Sequence, residues 1–396
     1  MSKHLAKRPK KTYTPEELTL AVQNNKHIYT EHFLPDFMKT LNKVFFYEMS
    51  QVYFRPVYIG FDGDIQRNNP DRPVILASNH SGMSFPWDAM VFGSAYFHNR
   101  DYQESRCFRT LVAPMLSQAP AMHPFTLLDG WKSAGGIDAT YLNFETMMEL
   151  PQGNLLIYPE GVPGIGKGFN RKYQLQRFAT SFVKMSLKYK TDIVPYSTVN
   201  AEYVAPYLYS SNWVNKQFNK IGVPFFPLGF LTIFLMFPFA FYLAFPCKMY
   251  FVRGNTISPY QWTDKEFDDL NEEDINEICH KVRVSMQSDL DKAVAEYGQH
   301  AFHWGEFFKS MWGNLKMFPY NTPLGWAFMF HDFEKQWFYE GGRESKKEVK
   351  IYTGWGAIFK FIWRSPITIA YFIPIVGWFI LIWYGTRKWK NKPPRQ

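Results

Sequence analysis

Three stretches of the chain are short, apolar and bounded by turn residues. They are Pro73-Val74-Ile75-Leu76-Ala77-Ser78, Gly153-Asn154-Leu155-Leu156-Ile157-Tyr158 and Thr191-Asp192-Ile193-Val194-Pro195. A strand with one wet face alternates apolar and polar side chains, so these runs predict strands covered on both faces. Residues 143–150 and 174–189 lie between them with apolar positions at helical spacing, and Lys248-Met249-Tyr250-Phe251-Val252-Arg253-Gly254 reads as a further strand. Strands alternating with helices predict an α/β fold with a mainly parallel sheet flanked by helices. Ahead of them, Thr14-Pro15-Glu16-Glu17 is a helix start, with Thr as the cap and Pro at the first helical position. Residues 35–58 carry Phe37, Leu41, Val44, Phe45 and Met49 at helical spacing and predict a second N-terminal helix.

Two uncharged segments follow. The run between Lys220 and Lys248 is long enough to cross a ~30 Å hydrocarbon core, but Pro224, Pro227, Pro238 and Pro246 interrupt it. An uninterrupted helix is therefore not expected. A crossing would also put the strand at 248–254 on the wrong side, so a segment dipping into one leaflet is expected. Residues 366–385 are uncharged and lead into Arg387, Lys388, Lys390 and Lys392. They predict a transmembrane helix with its C-terminus inside, or else a flat or re-entrant helix.

Composition adds weight to lipid contact. Aromatic residues make up 19% of the 396, with Phe 38, Tyr 24 and Trp 13, more than a soluble core needs. Aromatic rings with a polar edge or tip favour the bilayer interface. A mean hydropathy of -0.29 argues against a polytopic transporter. The net charge of +9 suits nucleic acid, an anionic leaflet or an anionic substrate. Lys3, Lys7, Arg8, Lys10 and Lys11 open the chain, either to meet an anionic leaflet or as a solvated tail. Cys107, Cys247 and Cys279 are too dispersed for a disulfide framework or a zinc site. No apolar core follows the N-terminal cations, so a cleavable signal peptide is not expected, and the catalytic part is expected on the cytoplasmic side.

The chemistry starts in Ala77-Ser78-Asn79-His80-Ser81-Gly82-Met83-Ser84-Phe85-Pro86-Trp87-Asp88. His80 emerges at a strand's C-terminal end, where open α/β sheets place their ligands. Asp88 lies a short loop away and is placed to hold the imidazole's second nitrogen. Such a pair suits removal of a proton from a hydroxyl nucleophile; a buried histidine with a structural hydrogen bond is the other reading. A second block, Tyr158-Pro159-Glu160-Gly161, follows another predicted strand, and Val194-Pro195 closes a third.

Strand-Asn-His…Asp, strand-Pro-Glu-Gly and strand-Val-Pro, in that order, resemble the lysophosphatidate acyltransferase superfamily over about residues 65 to 260. The resemblance implies His80 as general base and Asp88 as its orienting acid. It implies that Glu160 and Gly161 help bind the acceptor's polar head, that Asn79 is among the substrate-binding residues, and that Val194 and Pro195 lie near the acyl-thioester site. It also implies direct attack of the hydroxyl on the thioester, with no acyl-enzyme; no Gly-x-Ser-x-Gly elbow is present. Three departures stand out. The family's usual gap between His and Asp is four residues, whereas seven separate His80 from Asp88. Glu-Gly is followed by Val162-Pro163-Gly164 where the family has Thr-Arg-Ser, so the arginine expected to grip phosphate is missing. The family's Gly-x-x-x-x-x-Arg block is not evident in Gly135-Gly136-Ile137-Asp138-Ala139-Thr140. Lys167, Arg171 and Lys172 are candidate replacements for those cations, the other reading being a solvated basic face.

Other chemistries fit less well. Gly161-Val162-Pro163-Gly164-Ile165-Gly166-Lys167 nearly spells a phosphate-binding loop, but Gly168 stands where a hydroxyl should reach Mg²⁺. His300, His303 and Glu306 have a spacing open to metal, yet sit in an aromatic stretch. The expected organisation is a basic and helical region over 1–64, a catalytic domain over 65–299 and a membrane-associating extension over 300–396. The expected activity is O-acyl transfer from acyl-CoA or acyl carrier protein to a lysophospholipid such as lysophosphatidate. The alternatives are a neutral lipid alcohol (diacylglycerol or wax-type) as acceptor, and a non-catalytic lipid-binding protein. Neither metal nor cofactor nor nucleic acid is expected. The expected location is the cytoplasmic face of a membrane, monotopic or with one C-terminal span.

Overall fold

A computed structural model describes residues 13–83, 85–114, 125, 130–220, 225–230, 233–340 and 348–390; the cations at residues 3–11 and Lys392 lie outside these. The strands are β1 (Val57–Ile59), β2 (Ile75–Ser78), β3 (Phe108–Val112), β4 (Gly136–Asp138), β5 (Asn154–Ile157), β6 (Ile193–Val199) and β7 (Tyr250–Arg253). They form one sheet in the order β1-β7-β6-β2-β5-β3-β4, in which β6 and β7 are the antiparallel pair. Every residue of β2, β5 and β6 is buried, as continuous apolar runs require.

Alternation along the central strands divides the interior into two layers. Ile75, Ala77, Leu155, Ile157 and Ile193 face the helices Tyr141–Met148, Ser181–Tyr189 and Glu272–Tyr297. Leu76, Leu156, Val194 and Tyr196 face the other layer, built from residues 35–54, helix Trp87–His98, helix Pro323–Tyr339 and parts of the C-terminal region. The α/β reading therefore holds, with helices on both faces of a mainly parallel sheet.

Several local expectations hold and others change. Thr14 caps helix Pro15–Asn25 by a reciprocal box with Glu17. The second N-terminal helix ends earlier than expected: it runs through the π-turns Asn42–Phe46 and Ser50–Phe54, stops at a left-handed Arg55, and residues 57–58 enter β1. Of residues 174–189, only Ser181–Tyr189 is helical. The amides of Tyr173, Leu175 and Gln176 donate to Glu202, Gln287 and Glu160 side chains, so this backbone is spent outside a helix. Strand β6 continues to Val199, which places Val194 and Pro195 mid-strand opposite Leu76 and Ala77, not at a strand's end.

Residues 366–385 do not form one continuous helix. A 3-10 turn, Pro366–Phe372, is separated from helix Val376–Lys390 by Pro374 and a left-handed Ile375. Tyr371 and Leu381 are buried in the same cluster as Phe37 and Phe330. In the run between Lys220 and Lys248, Ala240, Tyr242, Ala244 and Cys247 pack inside the protein as well. Among the described residues, no helix is long and apolar enough to cross a membrane.

Candidate active site

The site forms where β2 ends. Its next residue, Asn79, is buried, and its amide accepts from the Thr198 N–H at 2.7 Å and donates to the Thr198 carbonyl at 2.9 Å. This clamp fixes the end of β2 against β6 and leaves Asn79 a positioning role, with its side chain spent on backbone. His80 follows, and its Nδ1 lies 2.7 Å from Asp88 Oδ2. The same carboxylate accepts from the Ser81 amide at 3.0 Å and, through Oδ1, from its neighbour's amide at Ala89 at 2.8 Å. Asp88 sits in the first turn of helix Trp87–His98, where the helix dipole favours an anion. An ionised carboxylate only accepts, so Nδ1–H donates and the lone pair sits on Nε2, as a general base requires.

The long His–Asp gap has a structural reason. Met83 N–H donates to the Ile165 carbonyl at 3.1 Å, and its side chain packs with Ala205 and Leu208. Phe85 packs against Trp87, Tyr242 and Phe330, anchoring the loop on the C-terminal layer. Gly82 and Met83 both take positive φ, which turns the chain back. The wide loop thus returns Asp88 to the imidazole.

The Pro-Glu-Gly block supports His80 from below. Buried Glu160 accepts from the His80 amide at 3.0 Å through Oε1 and from the Gln176 amide at 2.6 Å through Oε2. Gly161 adopts φ 58, ψ -144, a conformation closed to residues with a Cβ, so its identity is set by the turn itself. Lys167 does not face a cleft. Its side chain is buried, with Nζ 3.6 Å from Glu160 Oε2 and 3.7 Å from Glu202 Oε1. This inward turn speaks against both the phosphate-binding loop and a headgroup role for Lys167. Burial raises the Glu202 carboxyl above the usual carboxylate range, an effect that Lys167 opposes.

Arg171 is half-buried and donates to Gln176 Oε1 at 3.3 Å. Lys172 donates to the Tyr203 hydroxyl at 3.0 Å and lies over the Phe169 ring. Val194 and Pro195 are not brought to the dyad; from β6 the contribution comes instead from Thr198 and Tyr196. Sequence reasoning missed Tyr158, whose ring stacks on the imidazole at 4.2 Å and whose hydroxyl meets that of Tyr196 at 3.2 Å. Its position directly before Pro159-Glu160 was the available signal. Gly164 was missed too: a Cβ there would lie 2.5 Å from Glu160 Cβ and 3.2 Å from His80 Cβ. At the other candidate cluster, the Glu306 carboxylate is held below its usual range by its hydrogen bond from Lys248 at 2.7 Å. Among the described residues, no group of three or more His, Cys, Asp and Glu side chains is placed to hold a metal ion.

Asp88→Asn tests the orientation of the base. Asparagine keeps the shape, but a neutral amide no longer dictates which imidazole nitrogen carries the proton. Turnover is expected to fall by about 10²-fold or more, less than on loss of His80 itself. Wild-type rates in purified Asp88→Asn would make the 2.7 Å contact structural only.

No family model matches the chain. It is 30% identical over 225 residues to an uncharacterised protein of Mycobacterium leprae (strain TN), a match spanning 56% of each chain. It is 28% identical over 272 residues to uncharacterised proteins of Mycobacterium bovis and Mycobacterium tuberculosis, covering 67% of this chain and 68% of theirs. The chain thus matches only about half the length of the first relative. Among solved structures it is similar to the 1-acyl-sn-glycerophosphate acyltransferase of Thermotoga maritima, at 12% identity over 72% of this chain and 97% of that one. The TM-score of that superposition is 0.34, too loose to carry a functional argument, so the functional reading rests on the residues of the site.

Proposed function

We propose that the protein is an O-acyltransferase that moves a fatty acyl group from acyl-CoA or acyl carrier protein to a lipid hydroxyl, at the cytoplasmic face of a membrane. The observation that carries this reading is the 2.7 Å contact of His80 Nδ1 with buried Asp88, held beneath by Glu160. His80 Nε2 takes the proton of the acceptor hydroxyl as its oxygen attacks the thioester carbonyl. The carbon–sulfur bond breaks, and the leaving thiolate recovers the proton from the imidazolium. No acyl-enzyme is formed, and the chain's own part is to hold and orient one base.

The acceptor in this proposal is a lysophospholipid such as lysophosphatidate, serving phospholipid synthesis. Lys167 is committed to Glu160 and Glu202, and of Arg171 and Lys172 the planar fork of Arg171 is the better match for the acceptor's phosphate. That commitment also favours a second reading, a neutral acceptor such as diacylglycerol or a wax-type alcohol. A planar guanidinium meets two phosphate oxygens at once. Arg171→Ala is therefore expected to raise KM for the phosphate-bearing substrate about tenfold or more, with kcat little changed and Arg171→Lys recovering only part. Steady-state kinetics with acyl-CoA against lysophosphatidate and diacylglycerol check this. Unchanged KM for both substrates, with diacylglycerol turned over faster, would select the neutral acceptor.

A further inference from the structure

We propose that the C-terminal quarter is a docking face for the surface of an anionic lipid bilayer, formed by two aromatic stripes that lie flat on it. In helix Trp304–Gly313, Trp304, Phe308 and Trp312 recur every fourth residue and are exposed, Trp312 at 80%. Phe307, turned away from the stripe by about a quarter of a turn, is buried against Tyr53. Around helix Ala357–Arg364, Trp355, Phe359 and Trp363 repeat the same spacing at 74%, 77% and 84% exposure, while Ala357 and Phe361 are buried. Phe318 joins the two elements by stacking on Trp355 at 5.0 Å. Each helix therefore spends one face on the protein and presents only the other, the geometry of a helix lying in the interface rather than spanning it. Helix Val376–Lys390 also exposes Phe379 and Trp383.

Charge decides what covers this face. Residues 304–331 hold Lys309, Lys316 and a single acid, Glu306, which is paired with Lys248; residues 349–396 hold eight Lys and Arg and no Asp or Glu. A second copy seated on the same face would set cations against cations. An anionic leaflet complements them, and tryptophan rings favour the headgroup layer. The proposal stands apart from the acyl-transfer reading, because it is read by binding and not by turnover.

The test is cosedimentation of the full chain with vesicles of phosphatidylcholine, alone or mixed with phosphatidylglycerol. Wild-type protein is expected to bind the mixed vesicles more tightly than the neutral ones, and less tightly as salt is added. The triple variant Trp312→Ser, Phe359→Ser, Trp363→Ser is expected to bind at least about tenfold more weakly. Its thermal unfolding should match wild type, since all three side chains point to solvent. Lys309→Gln with Lys316→Gln should reduce the preference for phosphatidylglycerol and leave binding to neutral vesicles unaltered. His80→Ala should bind as wild type, which separates this test from the catalytic one. Unchanged binding in the triple variant overturns the proposal. So does a shift of that variant from dimer to monomer in analytical ultracentrifugation, which would make the face a contact between copies.

Discussion

Replacing His80 by alanine is expected to lower acyl transfer by about 10²–10⁴-fold, the usual contribution of a positioned general base, while the fold persists. Among the described residues, the imidazole hydrogen-bonds to Asp88 and stacks on Tyr158. Without it, the buried carboxylate still accepts from the Ser81 and Ala89 amides, so no orphaned charge is left behind. Loss of activity in His80→Ala should therefore come with a nearly unchanged melting profile and unchanged lipid binding. Binding that survives while turnover does not is also what distinguishes an enzyme from a lipid carrier on the same fold. Retention of more than about a tenth of wild-type turnover would remove His80 from the role of base.

The second large effect is one of stability. Lys167→Met is expected to destabilise the fold by about 3–5 kcal/mol, because it strands two buried carboxylates, Glu160 and Glu202, without their shared cation. Glu160 would keep the amides of His80 and Gln176, but Glu202 Oε2 already has no hydrogen-bond partner among the described residues. Adding Glu202→Gln to Lys167→Met should recover part of the loss. The pH dependence follows from the sign of the shift. A carboxyl whose folded pKa is raised favours the fold while protonated, and that contribution is lost as pH rises through the folded pKa. The deficit of Lys167→Met should accordingly be smaller in mildly acid than in alkaline buffer. Urea midpoints of the single and double variants measure it; a midpoint at the wild-type value would place Lys167 in solvent.

What the sequence made legible follows from burial. β2, β5 and β6 each carry a short apolar run next to turn residues, and β7 lies within the run 248–254 that reads as a further strand. β1 and β4 have three residues each at the borders of the sheet, too few to carry a period. β3 conceals itself behind Arg109, a charge that normally marks surface. There it is buried over the Phe33 ring and donates to the Gly135 carbonyl at 2.7 Å, and burial lowers its pKa to about 10. The pairing was readable because His80 follows a strand and Asp88 lies a short loop beyond it; that Asp88 opens a helix was not. The inward turn of Lys167 was not, since a lysine after Gly-Ile-Gly reads as exposed unless Glu202, from a distant turn after β6, is known to lie beneath it. Nor was the role of Phe85, whose partners Tyr242 and Phe330 come from far along the chain. Those contacts make the C-terminal layer part of what holds the His80–Asp88 loop. Truncation at residue 366 would therefore remove Tyr371 and Leu381 from the core instead of merely loosening an anchor.

The most direct measurement of the central claim is mass-spectrometric counting of ester formed and CoA released by the purified protein, given acyl-CoA with a lysolipid and with its deoxy analogue. The reading predicts one ester per CoA with the hydroxylated acceptor, none with the deoxy analogue, no acyl group on the protein, and loss of product in His80→Ala. Ester formed by His80→Ala at near the wild-type rate, or an acyl adduct on the wild-type chain that turns over to product, would contradict it.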